Sequence, residues 1–193
     1  MQTPQTSAHA TGYVPMTPSS PQPEVWLRGP LPDVLPLLQP IAHALLQARE
    51  ELQVALRHFP NHLLQVRPAG VASVGFHLRH LAGVLDRMQT YARYKPLSQA
   101  QFEFLAAEKE GSTTSPDTVA HLLQQFAGQV EAMLDTLRAT PEATLAEFRP
   151  VGRAGLPSTV MGLLVHAAEH TTRHVGQLLV TARVAQAGAA ASA

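Results

Sequence analysis

Apolar residues recur at spacings of three and four in four long stretches of the chain, the pattern that lines one face of an α-helix. The first stretch runs from about Asp33 to Phe59, with Ile41, Leu45, Ala48, Leu52 and Leu56 as its stripe. Pro36 and Pro40 fit only near a first turn, so Pro40 is an alternative start. Pro60, Asn61, Pro68 and Gly70 end that helix and form a connection. The second stretch, Val71 to Tyr94, carries Val74, Leu78, Leu81, Leu85, Met88 and Ala92 on a helical repeat, and Pro96 stops it. Lys95 to Thr114 forms a long crossover, with a short helix expected across Gln99 to Glu108. The third long helix is expected to begin at Ser115, whose hydroxyl can cap it while Pro116 takes the first helical position and Asp117 meets the positive end of the dipole. It runs to about Ala139. A linker from Thr140 to Pro157 is broken by Pro141, Pro150, Gly152, Gly155 and Pro157, and the fourth helix spans Ser158 to about Ala185.

Four long helices, one crossover and a composition rich in Leu and Ala predict an all-α fold, a four-helix bundle with a long crossover connection. A chain of 193 residues suits one domain with one core. Its expected limits are 25–185. Residues 1–24, rich in Pro, Thr, Ser and Gln, read as a disordered tail. Residues 186–193 read as a second, shorter one. Trp26 and Leu27 are expected to pin the incoming segment onto the bundle.

Charge and cysteine content narrow the chemistry. Acidic and basic residues balance at 14 each, which gives no electrostatic footprint for a nucleic acid or an anionic membrane. The absence of cysteine removes disulfides, thiolate ligands and a cysteine nucleophile. Any metal must therefore sit on nitrogen and oxygen. No stretch approaches the roughly 20 apolar residues that span a bilayer, and no basic segment leads into an apolar signal core. A cytoplasmic location is the expectation.

Histidines are the most distinctive feature. His166, His170 and His174 follow one another at steps of four on the fourth helix and project along one side. Placed on a wheel of about 100° per residue, Met161, Val165, Ala168, Thr172, Val175 and Leu179 form an apolar face. Glu169, Arg173 and Arg183 mark a charged sector, and the histidines fall in neither, beside Leu163 and Gln177. Imidazoles in a half-buried sector need partners, since an unpaired buried polar group costs about 1–3 kcal/mol. A shared cation would satisfy them, and helix spacing of i and i+4 is one that zinc sites use. His77 and His80 on the second helix supply the complement, because bundles build metal sites from facing helices. On the wheel His77 points nearer the apolar centre, so spacing alone leaves both open. Asp86 and Arg87 read as a solvated helix edge, and His43, His58, His62 and His121 as surface or structural residues. No paired carboxylates, Ser or Lys stand out as catalytic.

The segments GFHLRHLAGVLDR (Gly75 to Arg87) and HAAEHTTRHVGQLL (His166 to Leu179) resemble the DinB-like, YfiT-type superfamily of metal-binding four-helix bundles. Glu169, His170, His174, Gly176 and Gln177 match its last-helix pattern position by position. The resemblance covers about Pro32 to Ala185. It implies that His80, His170 and His174 bind one divalent metal, nickel or zinc in relatives, with water completing the shell. His80 is preferred over His77 because it directly precedes Leu81 and Ala82. His77, His166 and Gln177 are implied as supporting residues around the ligands, with His166, Arg79 or Arg87 orienting a substrate. The leading expectation for activity is a metal-dependent S-transferase or isomerase using a low-molecular-weight thiol such as bacillithiol, mycothiol or glutathione. The rival is a non-enzymatic metal-binding protein of the stress response. A homodimer is expected in either case, because one side of the fourth helix remains for a partner.

Overall fold

The computed structural model describes residues 22–108 and 118–191. Among them are five α-helices and one two-stranded hairpin: α1 Gln39–Ala55, α2 Val74–Ala92, α3 Gln99–Ala107, α4 Val119–Ala139, β1 Phe148–Val151, β2 Leu156–Thr159 and α5 Val160–Ala191. The four long helices make the bundle expected from the sequence, and α3 lies in the crossover. The expected cap at Ser115 to Asp117 falls outside the described residues. Within them, Thr118 caps α4, its hydroxyl accepting from the His121 N–H at 3.1 Å.

Packing follows the stripes. Ile41, Leu45, Ala48, Leu52 and Leu56 of the first stretch and Val74, Leu78, Leu81, Leu85, Met88 and Ala92 of the second are all buried. Both α1 and α2 pack on α4 and α5, so α1 lies diagonally across the bundle from α2. This arrangement makes α2 and α5 neighbours. His77 pairs with His174 and His80 with His170, so the two helices run antiparallel.

Several boundaries and faces differ from expectation. Helix α2 starts at Val74 because Pro68–Gly70 form a short 3-10 turn and the Ser73 hydroxyl caps the helix by accepting from the Phe76 N–H at 3.1 Å. The linker before α5 contains the hairpin, with Pro150 opposite Pro157. Proline is compatible with a two-stranded ribbon, since both strands are edges. Gly152 and Gly155, with φ of 68° and 61°, close its turn. Helix α5 runs past Ala185 to Ala191, through an alanine-rich sequence of high helix propensity.

The apolar face of α5 also corrects the wheel. Val160, Leu164, Ala167, Ala168, Thr171, Val175, Leu178 and Ala182 are buried, whereas Val165 and Thr172 are exposed. At the N-terminal end, Val25 is the buried anchor and donates its N–H to Gln47 at 3.0 Å. Trp26 and Leu27, assigned that role from sequence, are exposed. No helix among the described residues is long and apolar enough to cross a membrane.

Candidate metal centre

Antiparallel α2 and α5 bring four histidines together in the middle of the bundle. Their i, i+3 and i, i+4 spacings put each pair on one helix face, and the helix interface sets the faces against each other. His80 Nε2 lies 2.9 Å from His170 Nε2, and His77 Nδ1 lies 3.0 Å from His174 Nδ1. The His80 and His174 rings are 4.5 Å apart between centroids, as are His170 and His174. Phe76 stacks on His80 with rings 5.3 Å apart and 11° from parallel, covering one face of it.

The three residues His80, His170 and His174 can each offer a ring nitrogen such that all three lie within 4.8 Å of one another, a group that could hold a metal ion. The donor chemistry suits a cation. Burial first, and then the neighbouring imidazoles, push the pKa values of His170 and His174 down from 6.5 to about 4, which leaves both rings neutral with a free lone pair near pH 7. Zinc holds imidazole nitrogens at about 2.0–2.1 Å, which in a tetrahedron separates them by about 3.3 Å. The 2.9 Å pair needs to spread by only a few tenths of an ångström to admit the ion. His170 Nδ1, on the far side of the ring from the Nε2 that faces His80, is buried without a hydrogen-bond partner among the described residues.

His77 is 3% exposed, and burial followed by the charge of His80 lowers its pKa to about 4. A neutral His77 can accept a hydrogen bond from His174 Nδ1–H, which leaves the other nitrogen of His174 free. His166 is on the rim, exposed, and bonded through Nδ1 to Glu169 at 2.8 Å, with its ring 5.1 Å from that of His170. His166, Glu169 and His170 form a second, exposed group with metal-ligand spacing. Gln177 is exposed, and among the described residues no hydrogen bond joins it to the histidines.

The residue missed in the sequence is Glu108. It follows the last residue of α3, is 3% exposed, and accepts from His80 Nδ1 at 2.7 Å through Oε2 and from the Arg87 guanidinium at 2.5 Å through Oε1. Arg87 is therefore buried in an ion pair, which corrects its reading as a solvated edge. Its neighbour Asp86 is half-buried and accepts from Gln101 at 2.8 Å. Arg79 is buried as well and donates to the Glu108 carbonyl at 3.1 Å. Both arginines hold Glu108 in place, a role different from the substrate contact expected of them. No periodicity marks a buried carboxylate, and only its distant partners reveal this one.

Gly83 makes room for this network, because a Cβ there would collide with Glu108 Oε1 and stand 2.7 Å from the Arg87 guanidinium. Gly83 also lines a cavity of about 530 Å³ between α2, α3 and α4, bordered by Asp86, Gln101, Phe104, Gln125 and Gln129. None of the histidines lines it. His43 bonds the Gly29 carbonyl at 3.0 Å, His121 bonds Gln125 at 3.0 Å, and His58 and His62 are exposed. These four have surface or structural positions.

Comparison with known proteins adds the family. A sequence model described as the DinB superfamily matches residues 44–178, which contain α2, α4 and every histidine of the cluster. No curated protein matches the chain.

Proposed function

Because the chain belongs to the DinB superfamily, we propose that His80, His170 and His174 hold one divalent cation, nickel or zinc, and that the protein uses it in chemistry on a low-molecular-weight thiol. The observation that carries this reading is the pair of facing Nε2 atoms 2.9 Å apart, part of a group of three imidazoles in which two have pKa values pushed down to about 4. Three imidazole nitrogens with no fourth protein donor in that group leave positions for exchangeable ligands, the donor count of a catalytic rather than a structural site.

When bound, a divalent cation there supplies a Lewis acid that lowers the pKa of a coordinated water or thiol. The chain's own residues orient and shield. Phe76 covers His80, and His77 Nδ1 lies 3.0 Å from His174 Nδ1, placed to accept a hydrogen bond from it. Arg173, which helps to lower the pKa values of His170 and His174, adds positive charge beside the cluster and favours an anionic ligand.

Elemental analysis of the purified protein tests the ligand set. About one divalent ion per chain is expected, lost in His80→Ala, His170→Ala and His174→Ala but only weakened in His77→Ala. Undiminished metal in the His170 and His174 variants refutes the site. For the thiol, titration of bacillithiol or glutathione into cobalt-substituted protein should produce a sulfur-to-metal charge-transfer band, followed by product when an electrophile is added. An unchanged spectrum with metal still bound sinks the transferase reading and favours a metal-binding stress-response protein. A homodimer belongs to the same proposal, supported by the exposure of Val165, Val180 and Val184 along α5. Light scattering that returns a monomer mass removes it.

A further inference from the structure

The cluster depends on a residue that lies outside both histidine helices. We propose that Glu108 is a positioning residue for the metal centre, holding His80 in the tautomer and orientation that point an unprotonated Nε2 at His170. The proposal rests on the metal-site reading above and extends it to the crossover.

A carboxylate ion-paired to Arg87 is an acceptor only. The nitrogen 2.7 Å from it, His80 Nδ1, must then carry a hydrogen, and in an imidazole with a single N–H it is the only one. Nε2 is left with its lone pair, and it is Nε2 that faces His170. The opposite tautomer would set two lone-pair-bearing atoms, Nδ1 and the carboxylate oxygen, against each other and would place a hydrogen where a cation needs a donor. Carboxylate, imidazole and metal in this order form a recurring arrangement that fixes ring orientation and raises ligand basicity.

Glu108 is itself held in place from several sides. Oε2 serves His80, Oε1 receives the Arg87 guanidinium, and the Glu108 carbonyl receives Arg79 Nε. Gly83, having no Cβ, leaves room for Oε1. Phe76 limits rotation of the His80 ring from its other side. Thus three elements, α2, the end of α3 and α5, fix one imidazole. A surface ion pair would not need this enclosure, and its loss would leave a histidine free to turn.

The test has two independent readouts on the full-length protein. Long-range proton–nitrogen correlation spectra of metal-free protein report which nitrogen of His80 is protonated. Competition of zinc ions against a chromophoric chelator reports affinity. We expect Nδ1–H in the wild type and in His170→Ala, although the latter loses zinc. In Glu108→Gln, whose amide can donate to Nδ1, that tautomer should be lost and zinc should bind about 10- to 100-fold more weakly. Because Glu108→Gln strands Arg87 as a buried unpaired charge, the double variant Glu108→Gln/Arg87→Gln serves if the single one does not fold. An Nε2-protonated His80 in the wild type overturns the proposal, as does wild-type zinc affinity in a folded Gln variant. If the wild type itself takes up neither zinc nor nickel, the metal reading fails, while the tautomer of His80 still decides what Glu108 does.

Discussion

Replacing Gly83 with alanine puts the packing around Glu108 to a quantitative test. In an ordinary mid-helix position glycine to alanine stabilises by about 0.8–1.0 kcal/mol through helix propensity alone. Gly128 of α4 is such a position, with nothing within 4 Å of an added Cβ. At Gly83 the new methyl collides with Glu108 Oε1 and stands 2.7 Å from Arg87 and 2.9 Å from the Phe104 ring. The carboxylate and guanidinium are ends of flexible chains, but they are held by bonds of 2.7 and 2.5 Å and are almost wholly buried. Overpacking of this kind costs about 1–3 kcal/mol, and breaking a buried ion pair outright costs about 3–5 kcal/mol. Set against the propensity gain, the result is a loss of about 0–2 kcal/mol for Gly83→Ala, against a gain of about 1 kcal/mol for Gly128→Ala. Urea denaturation of the metal-free variants, with unchanged dependence on denaturant, measures both. A Gly83→Ala protein as stable as Gly128→Ala would refute the packing argument and loosen the case that Glu108 is held rigidly.

Two further outcomes follow from buried polar atoms. Thr171 is fully buried and its hydroxyl has no hydrogen-bond partner among the described residues, so Thr171→Val should raise stability by about 1 kcal/mol; a lower denaturation midpoint would mean that the hydroxyl is satisfied. The pKa values of His77, His170 and His174 lie near 4 in the folded chain against 6.5 for the ordinary side chain. Between these values the unfolded chain binds more protons, so metal-free protein should hold its full stability above about pH 6.5 and lose it as pH falls toward 4. Denaturation midpoints that stay level from about pH 7 to pH 5, where most carboxylates remain ionised, would contradict neutral buried imidazoles.

Much of the bundle was legible because its stripes are made of large residues. Leucines at 45, 52, 78, 81 and 85 recur at helical spacing as large apolar side chains, and each is buried. On α5 that pattern fails. Its buried side includes Ala167 and Thr171, small and weakly hydrophobic, while β-branched Val165 is exposed and drew the expected face toward itself. The four-residue ladder of His166, His170 and His174 was readable from spacing. The pairing of His80 with His170 depends on how two helices pack, across 90 residues of sequence. Glu108 lay further out of reach, since a single acidic residue at the end of a short helix carries no pattern that distinguishes it from a solvated one. The hairpin was hidden for a related reason: its prolines break strands in a sheet interior and are tolerated only where no neighbouring strand follows.

Helix α3 buries no residue of its own. It is capped at one end by Ser98 and Gln101, tied along its length by Gln101 to Asp86 and Thr90, and followed at its other end by the buried carboxylate that meets His80. The crossover is therefore fastened to the bundle chiefly by polar bonds, one of which is shared with the metal centre. Free-energy coupling of this kind is reciprocal: whatever factor Glu108 contributes to holding a cation, the cation returns to holding Glu108. Metal occupancy would thus be communicated to a segment with no ligand of its own. Slower amide exchange across α3 on addition of zinc would be its signature, and the crossover would act as a reporter of whether the centre is filled.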